Sequence, residues 1–409
     1  MEMTHRERIV EAINHRPTDV LPIDFGAMRS TGISILAYDK LRRYLKLDNG
    51  LPKMYDVFQQ LAEPETAVLD RLGGDVVQAH RLCPAFELSI KQWKETTLPG
   101  GVRCMVPAGY NPRMKEDGSQ EILDEDGQVV ARMPSSGLYF DSTVFPLEHV
   151  ETEADLQDLS FPVITEEEIC FIEEECRTLY ETTDRAILFA FGGNILEAGE
   201  GMFGFEKFFE FLLCEPEIVH AWATKLTDSY IASLEALLPR IAPYINIIQF
   251  GDDLGTQQST LISPATYREM IKPYHSRLYQ YVQNHYPSVK VFLHSCGAIQ
   301  PLIPELIEAG VQILNPVQIS ATGMDPVMLK REYGRDLVFW GGGANMQVTA
   351  LHGSVEDIRA EVRGLIEIFS KDSGYVFNQV HNIQANVPPE KILAIYDTAL
   401  AYREEQRKK

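Results

Sequence analysis

Residues 289–297, VKVFLHSCG, end an apolar, β-branched run with an imidazole and a thiol two positions apart. Alternate residues of a strand face the same side, so His294 and Cys296 project together. Imidazole and thiolate are donor types of zinc sites. The same two groups can also act as base and nucleophile in covalent catalysis. A third reading is a buried thiol packed beside a hydrogen-bonded histidine. The pair alone does not choose among the three.

Other chemistry-bearing residues lie at the ends of similar runs. VLPIDFGA reaches Asp24, and QFGDDLGTQ carries Asp252 and Asp253. VQILNPVQ supplies Asn315 and Gln318, and WGGGAN supplies Asn345 after three glycines. FNQVHNIQ contributes Asn378, His381, Asn382 and Gln384. His294, Cys296 and His381, with a carboxylate or a water, would make a tetrahedral zinc set. Asp253 is the first carboxylate to test, because it shares parity with Gln249 and Gly251. The chain turns there, and Asp252 is the alternative. Gly341, Gly342 and Gly343 either bare the backbone to a ligand or form a tight strand-to-helix turn.

These residues need a scaffold that gathers strand ends. Eight strand-like runs occur, each followed by helical sequence: VLPIDFGA, DVVQAHR, AILFAFGG, INIIQFGDD, VKVFLHSCG, VQILNPVQ, LVFWGGG and YVFNQVHN. That alternation predicts an α/β fold, a (β/α)8 TIM barrel in which the C-terminal strand ends converge on one axial pocket. No GxGxxG follows the first run, which argues against an open dinucleotide-binding sheet. From about 88 to 149 the helical period is lost, and Gly-rich turns (Gly100-Gly101, Asp117-Gly118, Asp126-Gly127) separate short segments. This stretch reads as β-hairpins inserted into one barrel domain spanning 1–409, set as a flap beside the site.

A formal charge of −22 over 409 residues makes nucleic acid or an anionic membrane a poor principal partner. The six cysteines show no CxxC or framework spacing, as in a reducing compartment. No run reaches membrane-spanning length, and MEMTHRERIVEAINHR has no apolar core of signal-peptide type. A cytoplasmic location is expected.

FLHSCG, QFGDDLGTQ followed by ISPATYREMIKPYH, HNIQANVPPEKI and the opening THRERIVEAINHRPTDVLPIDFG resemble the uroporphyrinogen decarboxylase superfamily. The nearest branch is that of the corrinoid-linked methyltransferases. The resemblance covers nearly the whole chain outside the hairpins and implies a (β/α) barrel. Decarboxylases of this superfamily use no cofactor and bind a polycarboxylate porphyrinogen through an arginine-bearing segment after the first strand. Here that place reads FGAMRSTGI, with Arg29 alone, and no YSDI-like segment follows. The methyltransferase branch binds zinc through an HxC pair on strand five and a later cysteine. His294 and Cys296 match the pair, while His381 stands where the cysteine is expected.

The resemblance therefore implies a zinc-dependent methyltransferase. It would move a methyl group from a small methylated substrate, an O-methyl ether, to a corrinoid carried by a partner protein. Zinc on His294, Cys296 and His381 would act as a Lewis acid on the substrate oxygen. Asp253, or Asp252, would complete the coordination or position a proton donor. Asp24, Arg29, Gln318, Asn345 and Asn382 are the expected substrate contacts. The alternative is a cofactor-free carboxy-lyase, for which Arg29, Arg81 and Arg113 are the arginines within reach of the mouth. A homodimer is left open.

Overall fold

Short β-branched and aromatic runs become the staves of one curved parallel sheet in the computed structural model, which describes residues 2–47 and 50–408. The first stave (β1) is the segment 22–24. The others are β2 (Val76–Ala79), β3 (Ala186–Gly192), β4 (Ile247–Gly251), β5 (Lys290–His294), β6 (Ile313–Asn315), β7 (Val338–Trp340) and β8 (Tyr375–Val376). Strands β2 to β8 pair in chain order, every pair parallel.

The first run is not the full strand its sequence suggests. It is reduced to a single parallel bridge, Ile23 to Phe377. Pro22 has no N–H to donate, and Gly26, at φ +73°, turns the chain away after Asp24. The bridge still closes the barrel. Phe377 N–H donates to Pro22 O at 2.9 Å, and Asp75 N–H donates to Ile23 O at 2.7 Å. Segment 22–24 is thus bonded to both edges of the seven-stranded sheet.

Strand parity sorts the interior into an apolar floor and a polar top. Val76, Leu188, Ile247, Phe292, Ile313, Trp340 and Val376 form one buried cluster, joined from below by Ile9, Ala12 and Ile13. The last three come from helix His5–Ile13, opened by a Thr4–Glu7 capping box. Two residues further along the same strands, the same parity brings Gln78, Gln249, His294 and Asn315 inward. Register places Gly251 beside His294 and His294 beside Asn315.

Between β2 and β3, Trp93–Thr97 pairs with Arg103–Pro107, and four short strands from Arg113 to Ser142 form a second antiparallel sheet. The chain then returns to the barrel mouth, where Gln384 Nε2 donates to Tyr139 Oη at 2.5 Å. No helix among the described residues is long and apolar enough to cross a membrane.

Candidate metal centre

His294 is the last residue of β5, and Cys296 follows where the chain turns at Gly297. A Cβ on Gly297 would lie 2.3 Å from the Gly255 backbone, and its φ is +90°. Only glycine fits this turn, which holds the thiol against the imidazole. Cys296 Sγ lies 3.4 Å from His294 Nε2. His381 arrives from the turn after β8, its ring centroid 5.4 Å from that of His294. One ligand atom from each of His294, Cys296 and His381 falls within 4.8 Å of the others.

The neighbours orient these donors. Asn315 Nδ2 donates to Trp340 O at 2.9 Å, which leaves its Oδ1 facing His294 Nδ1 at 2.7 Å. Nδ1 therefore carries the ring proton, and Nε2 turns its lone pair toward the thiol. His381 sits at φ +59°, a strained value for a residue with a side chain. The turn is held by Gln379, whose Nε2 donates to His381 O at 2.9 Å and Thr31 O at 3.0 Å. Burial, and then the neighbouring His294, lower the His381 pKa to about 4, so this imidazole is neutral at pH 7. Burial, followed by Asp253 and Glu197, pushes the Cys296 thiol well above its ordinary range. A bound cation reverses that balance.

The donor set fits zinc. Ligands at 2.0–2.3 Å around a tetrahedral ion stand roughly 3.3–3.6 Å apart, the spacing of the His294–Cys296 pair.

A carboxylate cluster flanks this centre. Asp253 accepts Cys296 N–H at 2.8 Å and approaches His294 Nε2 to 3.7 Å. Behind it, Glu197 Oε2 accepts Asp253 N–H at 3.0 Å and Asn194 Nδ2 at 2.5 Å. Burial, with Asp253 and Asp252 adding to it, raises the Glu197 pKa to about 8. Glu197 thus holds a proton at neutral pH.

A family model described as uroporphyrinogen decarboxylase (URO-D) matches residues 138–402. The chain belongs to this family. Among curated relatives, the uroporphyrinogen decarboxylase of Psychromonas ingrahamii is 26% identical over 71% of this chain and 82% of its own. That of Erwinia tasmaniensis is 27% identical over 95% of both chains. The solved structure of a methyltransferase from Methanosarcina mazei covers 99% of both chains, with a TM-score of 0.58 at 15% identity, and so shares the fold.

In this URO-D protein a cavity of about 310 Å³ opens above the polar tier, with His294, His381, Asp253 and Arg29 in its wall. Arg29 is paired with Asp56 and donates to Pro84 O at 2.8 Å. Arg81 lines it too, paired with Glu168, whereas Asp24, Asp252, Gln318, Asn345, Asn382 and Arg113 do not. Asp252 is fully buried, and its carboxylate takes the N–H groups of Ile195, Leu196 and Glu197 as well as His275 Nε2. It anchors a helix N-terminus inside the protein and does not reach the cavity. Asp24 is equally closed off, accepting from Ala27 N–H and Trp340 Nε1. Gln318 accepts Gly297 N–H at 2.8 Å and so braces the Cys296 turn. Asn345 accepts the N–H groups of Gln347 and Val348, as a turn residue does. Asn382 is wedged between Gly32 N–H and Gln59 Oε1. Arg113 lies in the inserted sheet, paired with Glu121.

Several residues of the site were not singled out from the sequence. Glu197 reaches in from the first turn of helix Leu196–Phe203, and no strand-end rule points to it. Gln78 and His80 follow from the parity of β2, yet His80 reads as an ordinary structural histidine until the register is known.

Proposed function

We propose that this URO-D family member is a zinc-dependent methyltransferase that takes a methyl group from a small O-methyl ether and passes it to a corrinoid on a partner protein. The observation that carries this reading is the convergence of one ligand atom from each of His294, Cys296 and His381 within 4.8 Å. Zinc on these residues supplies Lewis acidity toward an ether oxygen. The chain's own part is orientation and proton handling. Asn315 fixes the His294 tautomer, and neutral His381 offers a lone pair without competition from a proton. As the C–O bond breaks and the methyl leaves for the acceptor, the departing oxygen needs a proton. Glu197, protonated at neutral pH and lining the same cavity, holds one there.

A second reading, a cofactor-free decarboxylase, is favoured by the names of the curated relatives. The pocket argues against it. A polycarboxylate needs unpaired cations, whereas Arg29 is paired with Asp56 and Arg81 with Glu168. A cavity of about 310 Å³ is also at the small end for ligand pockets, which suits a small substrate better than a tetrapyrrole.

Metal analysis of protein purified without chelator should give stoichiometric zinc, lost in His294→Ala and Cys296→Ser together with ether demethylation onto a reduced corrinoid acceptor. Zinc-free protein with undiminished activity would overturn the proposal.

A further inference from the structure

The end of the barrel away from the metal centre holds a groove whose cations lack counter-charges. Its volume is about 800 Å³, and Lys330, Arg331, Arg335 and Lys371 line it against Glu367 and Asp372. Lys330 and Arg331 belong to the last turn of helix Pro326–Tyr333, and Arg335 follows on the way into β7. Lys371 follows helix Val355–Phe369 on the way into β8. All four therefore stand where staves begin, whereas His294 stands where one ends.

Pairing in this wall is lopsided. Arg331 is paired with Glu332, and Glu367 with Arg363. Among the described residues, Lys330, Arg335 and Lys371 form no ion pair. Lys330 Nζ donates instead to a neutral carbonyl, Ser373 O, at 2.5 Å. A shortage of carboxylates is not the reason, since the chain carries 59 acidic residues to 37 lysines and arginines. A helix C-terminus favours nearby cations, which gives each group a local reason to be there but supplies no counter-ion. The surplus acts on its neighbours. Burial, and then Lys330 and Lys290, lower the pKa of His15, which lines the same groove, with Asp336 opposing. Burial lowers the Lys330 pKa to about 8, with Asp372 opposing. Charges of one sign gathered in a hollow repel one another and concentrate ions of the other sign.

We infer that this groove is a binding site for a small, multiply charged oxyanion, a phosphate or a polycarboxylate. The Arg335 guanidinium offers either group two parallel N–H bonds, and the Lys330 and Lys371 ammoniums add point charge beside it. A concavity of this volume suits a small molecule. The inference goes beyond the methyl-transfer reading and is independent of it, because no residue of the metal centre takes part.

The test is calorimetric binding to the full-length protein at about 0.15 M salt, where diffuse surface attraction is largely screened. Inorganic phosphate and tricarballylate (propane-1,2,3-tricarboxylate) are the probes, and comparing them tells which oxyanion the groove prefers. At least one should bind with a dissociation constant of about 1 mM or below. Arg335→Gln and Lys371→Gln should each weaken that binding about tenfold or more, as loss of a charge-assisted bond does. Both side chains are exposed and outside any ion pair, so the melting temperature without ligand should stay unchanged. Arg359→Gln removes an equal charge from an exposed position of helix Val355–Phe369 outside the groove, and should leave the affinity unaltered. Binding that all three variants weaken alike would be diffuse attraction, and binding that neither groove variant weakens would lie elsewhere. Either result, or no binding of either probe, overturns the inference.

Discussion

At the residue scale the informative contact is Asn315 to His294. The amide forces one tautomer, so a metal gains a pre-aimed Nε2 without an entropic search. Asn315→Leu removes the acceptor while keeping bulk, and apparent zinc affinity should fall by about 10–100-fold, as loss of such outer partners typically does. Competition with a chromogenic chelator measures it, and wild-type affinity in that variant would deny the amide its role. The donors also set a pH dependence. His381, with its pKa lowered to about 4, is already neutral near neutral pH. The Cys296 thiol, held above its ordinary range, must release its proton to bind. Zinc affinity should therefore rise about tenfold per pH unit between about pH 6 and 8. A flat profile would remove Cys296 from the ligand set. His294, Cys296 and His381 were legible in the sequence because their types and strand-end positions are unusual together. Asp252 and Asp253 were not separable, since adjacent carboxylates at a turning strand end differ only in which way the backbone finally points.

At the scale of elements, helix Leu196–Phe203 explains both a missed residue and a misplaced one. Asp252 meets its N-terminal N–H groups, a favourable place for a negative charge. That anchoring places Glu197 and Glu200 beside Asp252 and Asp253. Burial, with Asp252 and Asp253 adding to it, raises the Glu200 pKa to about 7, and its Oε1 is a buried orphan. Both glutamates are raised above their unfolded range, so the folded chain binds more protons between about pH 5 and 8. Stability of the metal-free protein should fall as pH rises through that window. Glu200→Gln removes one of the two titrations, so its melting temperature should drop less between pH 5 and 8 than that of the wild type. Identical slopes would show that Glu200 does not titrate there. The inserted hairpins were readable from Asp117-Gly118 and Asp126-Gly127, whose glycines adopt φ +80° in tight turns. The first strand was over-read, because VLPIDFGA has strand composition but Pro22 withholds a donor.

At the scale of the whole molecule, the barrel is completed by a charge rather than by a long strand. Asp75, fully buried just before β2, accepts Ile23 N–H at 2.8 Å and Arg8 Nη1 at 2.7 Å. It also binds His5 Nδ1 at 2.6 Å and Arg403, so the first helix, β1 and the last helix (Pro389–Arg407) meet on one carboxylate. A one-bridge stave has too few ladder bonds to hold the closure alone, and this cluster supplies the rest. Sequence periodicity could announce eight staves but not this joint, in which Asp75 bonds a partner 328 positions away. Arg403 first, with His5 and Arg8, keeps the Asp75 pKa below its ordinary range despite burial. Its contribution is therefore present above the ordinary aspartate range and lost as pH falls below it. Asp75→Ala strands Arg403 and part of Arg8 without a counter-charge, and removing one partner of a buried pair costs about 3–5 kcal/mol. Arg71→Ala, which breaks the exposed pair with Asp397, should cost under about 1 kcal/mol. Denaturant unfolding compares the two. Because the metal donors stand at the opposite end of the staves from Asp75, the folded fraction of Asp75→Ala should keep its full zinc content. A loss within 1 kcal/mol would return the closure to the backbone bonds of β1.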